Sequence, residues 1–243
     1  MFNSKTKYRI ILSNEASSKE NMAIDEALLL NFKEGDLPIF RLYLWKENSV
    51  TIGISQKLEN YSYKKMAKRI TGGGVLFHGH DVSYSLIIPV ELLKGFSIKE
   101  SYEKICQFIL KFYKNLGLNV CYAKDNEEIK LSKSEFCQVG FEAYDILANG
   151  HKIGGNAQRR TKKAIFQHGS IPIKSVKNGN IIDEKIGISL EDIDINITFD
   201  GAKKYLVDSF NESFNVELIS SELTQEEENT KKRLLKEKYE CCS

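Results

Sequence analysis

The chain has 243 residues, 42% of them hydrophobic and 28% charged, with a formal net charge of +2. That length builds one large domain or two small ones with a real core, and so small a charge excess gives no field for nucleic acid. No run of about 18 apolar residues occurs, so no membrane span is expected, and the first residues lack the apolar core and cleavage site of a secretory signal.

The five cysteines are Cys106, Cys121, Cys137, Cys241 and Cys242. Their odd number and the absence of a Cys-x-x-Cys pair predict reduced thiols and a cytoplasmic protein. The four histidines do not combine with them at zinc-ligand spacing, so no metal site is expected.

In chain order, Met22, Ile24, Ala27, Leu28 and Leu30 fall close to helical spacing and predict an amphipathic helix over residues 19–33. "IFRLYLW" and "SVTIGIS" read as two strands around the turn signal Lys46-Glu47-Asn48. "VLFH" and "VSYSLIIP" read as a further strand pair. Ile105, Phe108, Ile109 and Phe112 form the apolar stripe of a helix over residues 98–116, with Gly117 as its stop. "LNVCYA" is a predicted strand, and "AYDILANGHKIGG" carries an Asn-Gly hairpin signal. "AIFQHGSIPI" is another strand, and the pattern is helical from residue 202.

Helices interleaved with hairpin-linked strands predict an α+β (mixed α/β) fold, with a central, mainly antiparallel sheet flanked by helices. No repeat or linker interrupts residues 1–220, which are read as one domain. Residues 221–243 are read as a charged helical tail, either a solvated helix or a frayed end.

Chemistry concentrates in four stretches. "TGGGVLFHG" has three consecutive glycines followed by a β-branched and aromatic run. A dinucleotide fingerprint needs a helix there, and no GxxxxGK[ST] sequence occurs, so neither nucleotide motif is present. A tight turn and a close approach to a ligand both remain open. "NGHKIGGNAQRR" places Lys152 on a predicted strand before a second glycine pair, and "FQHGSIPI" contains His168. Cys137 stands in "EFCQVGFEAY". Taken singly, each of these residues has an ordinary structural reading. A nucleophilic cysteine further needs a nearby positive charge, which Lys152 or His168 would supply.

Together these stretches resemble the catalytic domain shared by lipoate-protein ligases, octanoyltransferases and biotin ligases. Five segments match in order over residues 8–215: "NMAIDEALL", "FRLYLWKENSVTIGISQ", "KRITGGGVLFHGHDVSYSL", "GHKIGGNAQRR" and "FQHGSIPI". Lys68 replaces the family's usual first arginine, and Asn156 stands where the family has serine. The Gly-Arg-Gly-Arg motif of biotin ligases is absent.

The resemblance implies that residues 1–220 are an acyltransferase or ligase catalytic domain. It implies that Gly72, Gly73 and Gly74 line the slot for an acyl chain and that Lys152 faces the acyl carbonyl. Arg69, His78, Gly155 and His168 are the other substrate-binding candidates. Cys137 lies about fifteen residues before Lys152, where the cysteine-dependent octanoyltransferases place their nucleophile. With the length of the His78–Leu86 segment, Gln158 and the shortness of the chain, this favours an octanoyltransferase. Gln138, Gly79 and His80 depart from that class.

The implied reaction moves octanoate from acyl carrier protein, through an acyl-Cys137 intermediate, to a lysine of a lipoyl domain or glycine-cleavage H protein. It needs no cofactor. The alternative is an ATP-dependent lipoate-protein ligase, which needs ATP and Mg²⁺ and would use Lys162 or Lys163 to hold phosphates. A second alternative, a non-catalytic acyl- or lipoyl-binding protein, fits poorly with retention of Lys152. The basic clusters Lys64-Lys65-Lys68-Arg69 and Arg159-Arg160-Lys162-Lys163 are either steering patches for acidic partners or ordinary solvated surface.

Overall fold

The computed structural model describes residues 5–46, 48–132, 135–136, 139–178 and 181–240. Glu47 of the expected turn, and Cys137, Gln138, Cys241 and Cys242, lie outside the described residues.

The first half of the chain contains β1 (Lys7–Leu12), α1 (Ser18–Asn31), β2 (Ile39–Tyr43), β3 (Ser49–Ile52), β4 (Met66–Lys68), β5 (Leu76–His78), β6 (Asp81–Pro89) and α2 (Ile98–Asn115). The second half contains β7 (Val120–Tyr122), β8 (Ile146–Ala148), β9 (His151–Lys152), β10 (Gly155–Arg160), β11 (Ala164–Pro172), β12 (Lys177–Asn178), β13 (Ile181–Ile182), α3 (Phe199–Phe214), β14 (Glu217–Ser220) and α4 (Gln225–Leu234). The central sheet has six strands in the order β10-β11-β6-β2-β1-β14. Its pairings from β10 to β2 are antiparallel, and the two at the β1 and β14 edge are parallel.

Alternation along the strands builds two unlike faces. Phe40, Tyr84, Leu86 and Ile165 pack with Phe108 of α2 and Phe210 of α3, and the Phe40 and Phe210 rings stack at 4.3 Å. The opposite face meets α1 and is graded along the strands. The row Ile39–Ile87–Phe166 is apolar, the next is Arg41–Ser85–His168, and the third is Tyr43–Ser83–Ser170. The fold therefore places polar residues in a buried layer on one half of a single sheet face.

The local reading assigns "VLFH" and "VSYSLIIP" to each other; the structure does not pair them. β5 pairs with β3 in a small sheet ordered β4-β3-β5, whereas β6 is central in the large sheet between β2 and β11. Gly79, at φ +112°, turns the chain between them, where an added Cβ would meet Asn48 Oδ1 at 2.4 Å. Likewise β2 and β3 part into different sheets.

Helix α1 starts at the cap Ser17, whose side chain accepts from the Glu20 N–H. Leu30, expected on its apolar stripe, is 57% exposed, while Asn21 and Asp25 are buried. The inward face is partly polar because it must satisfy Arg41. Helix α2 follows its predicted span and opens with a Ser97–Glu100 capping box. Helix α4 lies against α1; its Glu227 pairs with Arg9 of β1 at 2.8 Å, and Tyr239, beyond the end of α4, donates its hydroxyl to Glu26 of α1 at 2.6 Å. Among the described residues no helix is long and apolar enough to cross a membrane.

Candidate functional site

A cleft of about 690 Å³, counting its open mouth, lies where the polar half of the sheet meets the small sheet and the β8–β9 hairpin. The glycine stretch, Lys152, His78 and His168 all contribute to its walls.

Gly73 and Gly74 line the cleft, with Gly73 at φ +96°; Gly72 is exposed and does not line it. Arg69 holds this loop from inside. Its Nη2 donates to the Gly74 carbonyl at 2.7 Å and the Gly72 carbonyl at 3.2 Å. Its Nη1 donates to the Thr51 carbonyl at 2.9 Å and to Thr51 Oγ1 at 2.8 Å. Arg69 borders the cleft, yet its observed partners brace the loop. Gly53, passed over in the sequence, is part of the same device: a Cβ there would meet the Gly73 carbonyl oxygen at 2.1 Å. Only glycine allows so close an approach.

Lys152 is delivered by the hairpin whose turn residues Asn149 and Gly150 both have positive φ, as a tight two-residue turn requires. Its ammonium sits 2.6 Å from Asp145 Oδ2 and donates to the Gly140 carbonyl at 2.9 Å. Asp145 also accepts the Glu142 N–H at 2.7 Å. Asp145 was not picked out from the sequence. The signal lay in the hairpin register: Lys152 pairs with Leu147, so Asp145, two residues earlier, shares its face. Gly155 and Asn156 continue the wall from Lys152. Cys137 lies outside the described residues; Phe136 and Val139, on either side of it in the chain, line the cleft.

The two histidines make like contacts, each with a threonine hydroxyl and an aspartate carboxylate. His168 Nε2 is 2.7 Å from Thr71 Oγ1, and its Nδ1 is 3.5 Å from Asp25 Oδ2. His78 Nε2 is 2.8 Å from Thr51 Oγ1, and its Nδ1 is 3.0 Å from Asp81 Oδ2. Burial lowers the pKa of both rings and outweighs the neighbouring carboxylates, so both are neutral at pH 7. Burial pushes Asp25 and Asp81 up, but Arg41 and His168 at the first and His78 at the second more than offset it, leaving both below the usual carboxylate range. The thiol of Cys106 is buried and pushed up to about 12, which removes it as a nucleophile.

These shifts set a pH dependence. His78, His80 and His168 are all lowered, each first by burial. An unfolded histidine protonates near pH 6.5 while the folded one stays neutral, so the unfolded chain binds more protons as pH falls below that value. Stability is full above about pH 7 and declines below about 6.5, by at most ~1.4 kcal/mol per pH unit for each histidine. Asp25 and Asp81 carry the decline further at lower pH. Urea midpoints measured from pH 8 to 5 are expected to fall throughout the acid half; a flat profile contradicts the buried neutral histidines.

Residues 17–181 match the lipoyl protein ligase A/B catalytic domain. The chain is 33% identical to octanoyltransferase LipM of Anoxybacillus flavithermus and 30% identical to octanoyltransferase LipM of Bacillus subtilis. Each match covers 97% of this chain and 96% of the relative. The fold is similar to that of protein Ta0514 from T. acidophilum, solved with bound lipoic acid, at a TM-score of 0.79 and 22% identity over 96% of both chains.

Proposed function

The chain belongs to the lipoyl protein ligase A/B catalytic-domain family, and from that premise we propose that it is an octanoyltransferase of protein lipoylation. The observation that carries this reading is its likeness, over nearly the full length of both partners, to octanoyltransferases. Octanoyl-acyl carrier protein is the donor, and a lysine of a lipoyl domain or glycine-cleavage H protein is the acceptor. The cytoplasmic setting belongs to the same proposal and rests on the odd cysteine count without a Cys-x-x-Cys pair.

The reaction runs in two steps. The Cys137 sulfur attacks the thioester carbonyl carbon, and the π pair moves onto oxygen. As the carbonyl re-forms, the bond to the carrier sulfur breaks, and the carrier leaves as a thiol with the proton that Cys137 gave up. The acceptor amine then attacks octanoyl-Cys137, the amide forms, and the amine proton returns to the cysteine sulfur. Dividing one transfer into two thioester-level steps is the gain of covalent catalysis, and neither step consumes ATP.

The cleft supports this chemistry at three points. Lys152 presents an ammonium from a nearly buried side chain, held by Asp145, where developing oxyanion charge is stabilised in low dielectric. Gly73 and Gly74 leave room for an acyl chain along the wall. His78 and His168 have both ring nitrogens engaged, which suits them to shaping the slot rather than to relaying protons. Of the first basic cluster, Arg69 is occupied internally by the glycine loop and Thr51, so it takes no part in meeting an acidic partner.

The test is intact-protein mass spectrometry after mixing the chain with octanoyl-acyl carrier protein and no ATP. A gain of one octanoyl group, released by hydroxylamine, is expected. No adduct, with ATP-dependent attachment of free lipoate to a lipoyl domain, would move the assignment to a ligase.

A further inference from the structure

We propose that Asn156 is a catalytic oxyanion donor whose side-chain amide is locked in one orientation by a directional hydrogen-bond relay. The proposal rests on the transferase reading above, and it concerns a residue at which this chain departs from the serine of the family pattern.

The relay begins at Arg160. A guanidinium can only donate, and its Nε donates to Gln158 Oε1 at 3.3 Å. That assignment leaves Gln158 Nε2 as the donor to Gln167 Oε1, at 2.8 Å. Gln167 must then use Nε2 as a donor, and it reaches the Tyr84 hydroxyl at 2.8 Å and Cys106 Sγ at 3.3 Å. The Tyr84 oxygen is thereby an acceptor, so its one proton goes to Asn156 Oδ1 at 2.7 Å. Gln167 and Tyr84 are both 0% exposed, so no solvent competes for the bond between them at the centre of the line, whereas its first bond, from Arg160, lies at the surface. Each amide along the line has one permitted orientation.

The consequence falls on Asn156. Its Oδ1 is committed to Tyr84, and its Nδ2 has no partner among the described residues. Asn156 lines the cleft, four residues beyond Lys152. Room for the side chain is made across the strand pair: Asn156 is in register with Gly169, and a Cβ on Gly169 would meet Asn156 Oδ1 at 2.2 Å. The glycine of the His-Gly-Ser strand thus has a specific task, which is to let the Asn156 amide lie over it. A hydrogen-bond line with a buried centre, ending at a cleft-lining residue whose N–H₂ group is unused among the described residues, has the form of a preorganised donor. During attack by Cys137, that group donates to the carbonyl oxygen as charge gathers on it, alongside Lys152.

The experiment is a single-turnover acylation of the full chain by octanoyl-acyl carrier protein, followed by intact mass. The rate constant and final amplitude are read separately for the wild type, Asn156→Ala, Asn156→Asp and Tyr84→Phe. Amplitude counts correctly folded chain, so a folding defect lowers amplitude and not the rate constant. The aspartate keeps the shape and the bond from Tyr84 while replacing the donor with an acceptor.

Both Asn156 variants are expected to acylate about 10²–10³-fold more slowly with little change in the carrier concentration needed for half-saturation, the loss typical of one oxyanion donor. Tyr84→Phe, which frees the amide to rotate, is expected to fall between them and wild type. An acylation rate within threefold of wild type in Asn156→Ala or Asn156→Asp overturns the proposal and leaves the transferase reading intact. Failure of the wild-type chain to acylate overturns both.

Discussion

Alanine at position 137 is expected to abolish the hydroxylamine-labile octanoyl adduct and to lower transfer to a lipoyl domain on the order of 10⁴-fold or more, the scale set by removal of a covalent nucleophile. The reason lies in the alternatives available to the chain. Among the described cysteines, Cys106 is sealed in the core with its thiol pushed up to about 12, and Cys121 stands on β7 away from the cleft walls. Neither can replace a lost nucleophile there. The residual rate would come from Lys152 and the cleft acting on direct attack by the acceptor amine. A Cys137→Ala protein that transfers octanoate at the wild-type rate would falsify the acyl-enzyme mechanism. A Cys121→Ala protein, changed at a cysteine that does not line the cleft, serves as the control and is expected to acylate normally.

Arg41→Met is expected to cost about 3–5 kcal/mol of stability at pH 7, because it strands a buried carboxylate. Arg41 and Asp25 are 0% and 1% exposed and lie 2.7 Å apart. Arg41 also donates from Nη2 to Asn21 Oδ1 at 2.7 Å and from Nε to Ser13 Oγ at 2.9 Å, tying β2 to α1 and to the segment after β1. Methionine fills similar space but supplies no donor. Asp25 would keep the Ser85 and Tyr43 hydroxyls and His168 while losing its full countercharge. Adding Asp25→Asn should recover part of the loss, since a neutral amide needs no countercharge. Urea melts of the two single variants and the double variant check this. A loss below about 1 kcal/mol for Arg41→Met would mean that the pair contributes no more than a surface contact.

Some of this protein was legible from the order of its residues. Helix α2 runs Ile98–Asn115 against an expected 98–116, because a 3.6-residue apolar stripe, a capping box and a glycine stop all act within the segment itself. The β8–β9 hairpin was legible for the same reason, since Asn149 and Gly150 impose their positive φ wherever the chain goes. The glycine stretch and Lys152 stood out as candidates through the family resemblance, and Gly73, Gly74 and Lys152 line one cleft.

Strand partners were not legible. "VLFH" and "VSYSLIIP" are adjacent in sequence and carry strand signals, but a strand's pattern states which face is apolar and not which edge it joins. The same limit hid Asp25, Asn21, Asp145 and Gly53. Buried polar groups must be satisfied, and the folded chain satisfies them with residues far away: Arg41 with Asp25, Tyr84 with Gln167, His168 with Thr71. The sequence by itself determined α2 and the β8–β9 hairpin and marked the glycine loop and Lys152 as candidates, because each rests on local chemistry. By contrast β14, inside the stretch read as helical from residue 202, is a strand through its parallel pairing with β1. Only the tertiary structure decided how the polar side chains are oriented, because every donor and acceptor in the buried layer takes its direction from a partner on another strand or helix.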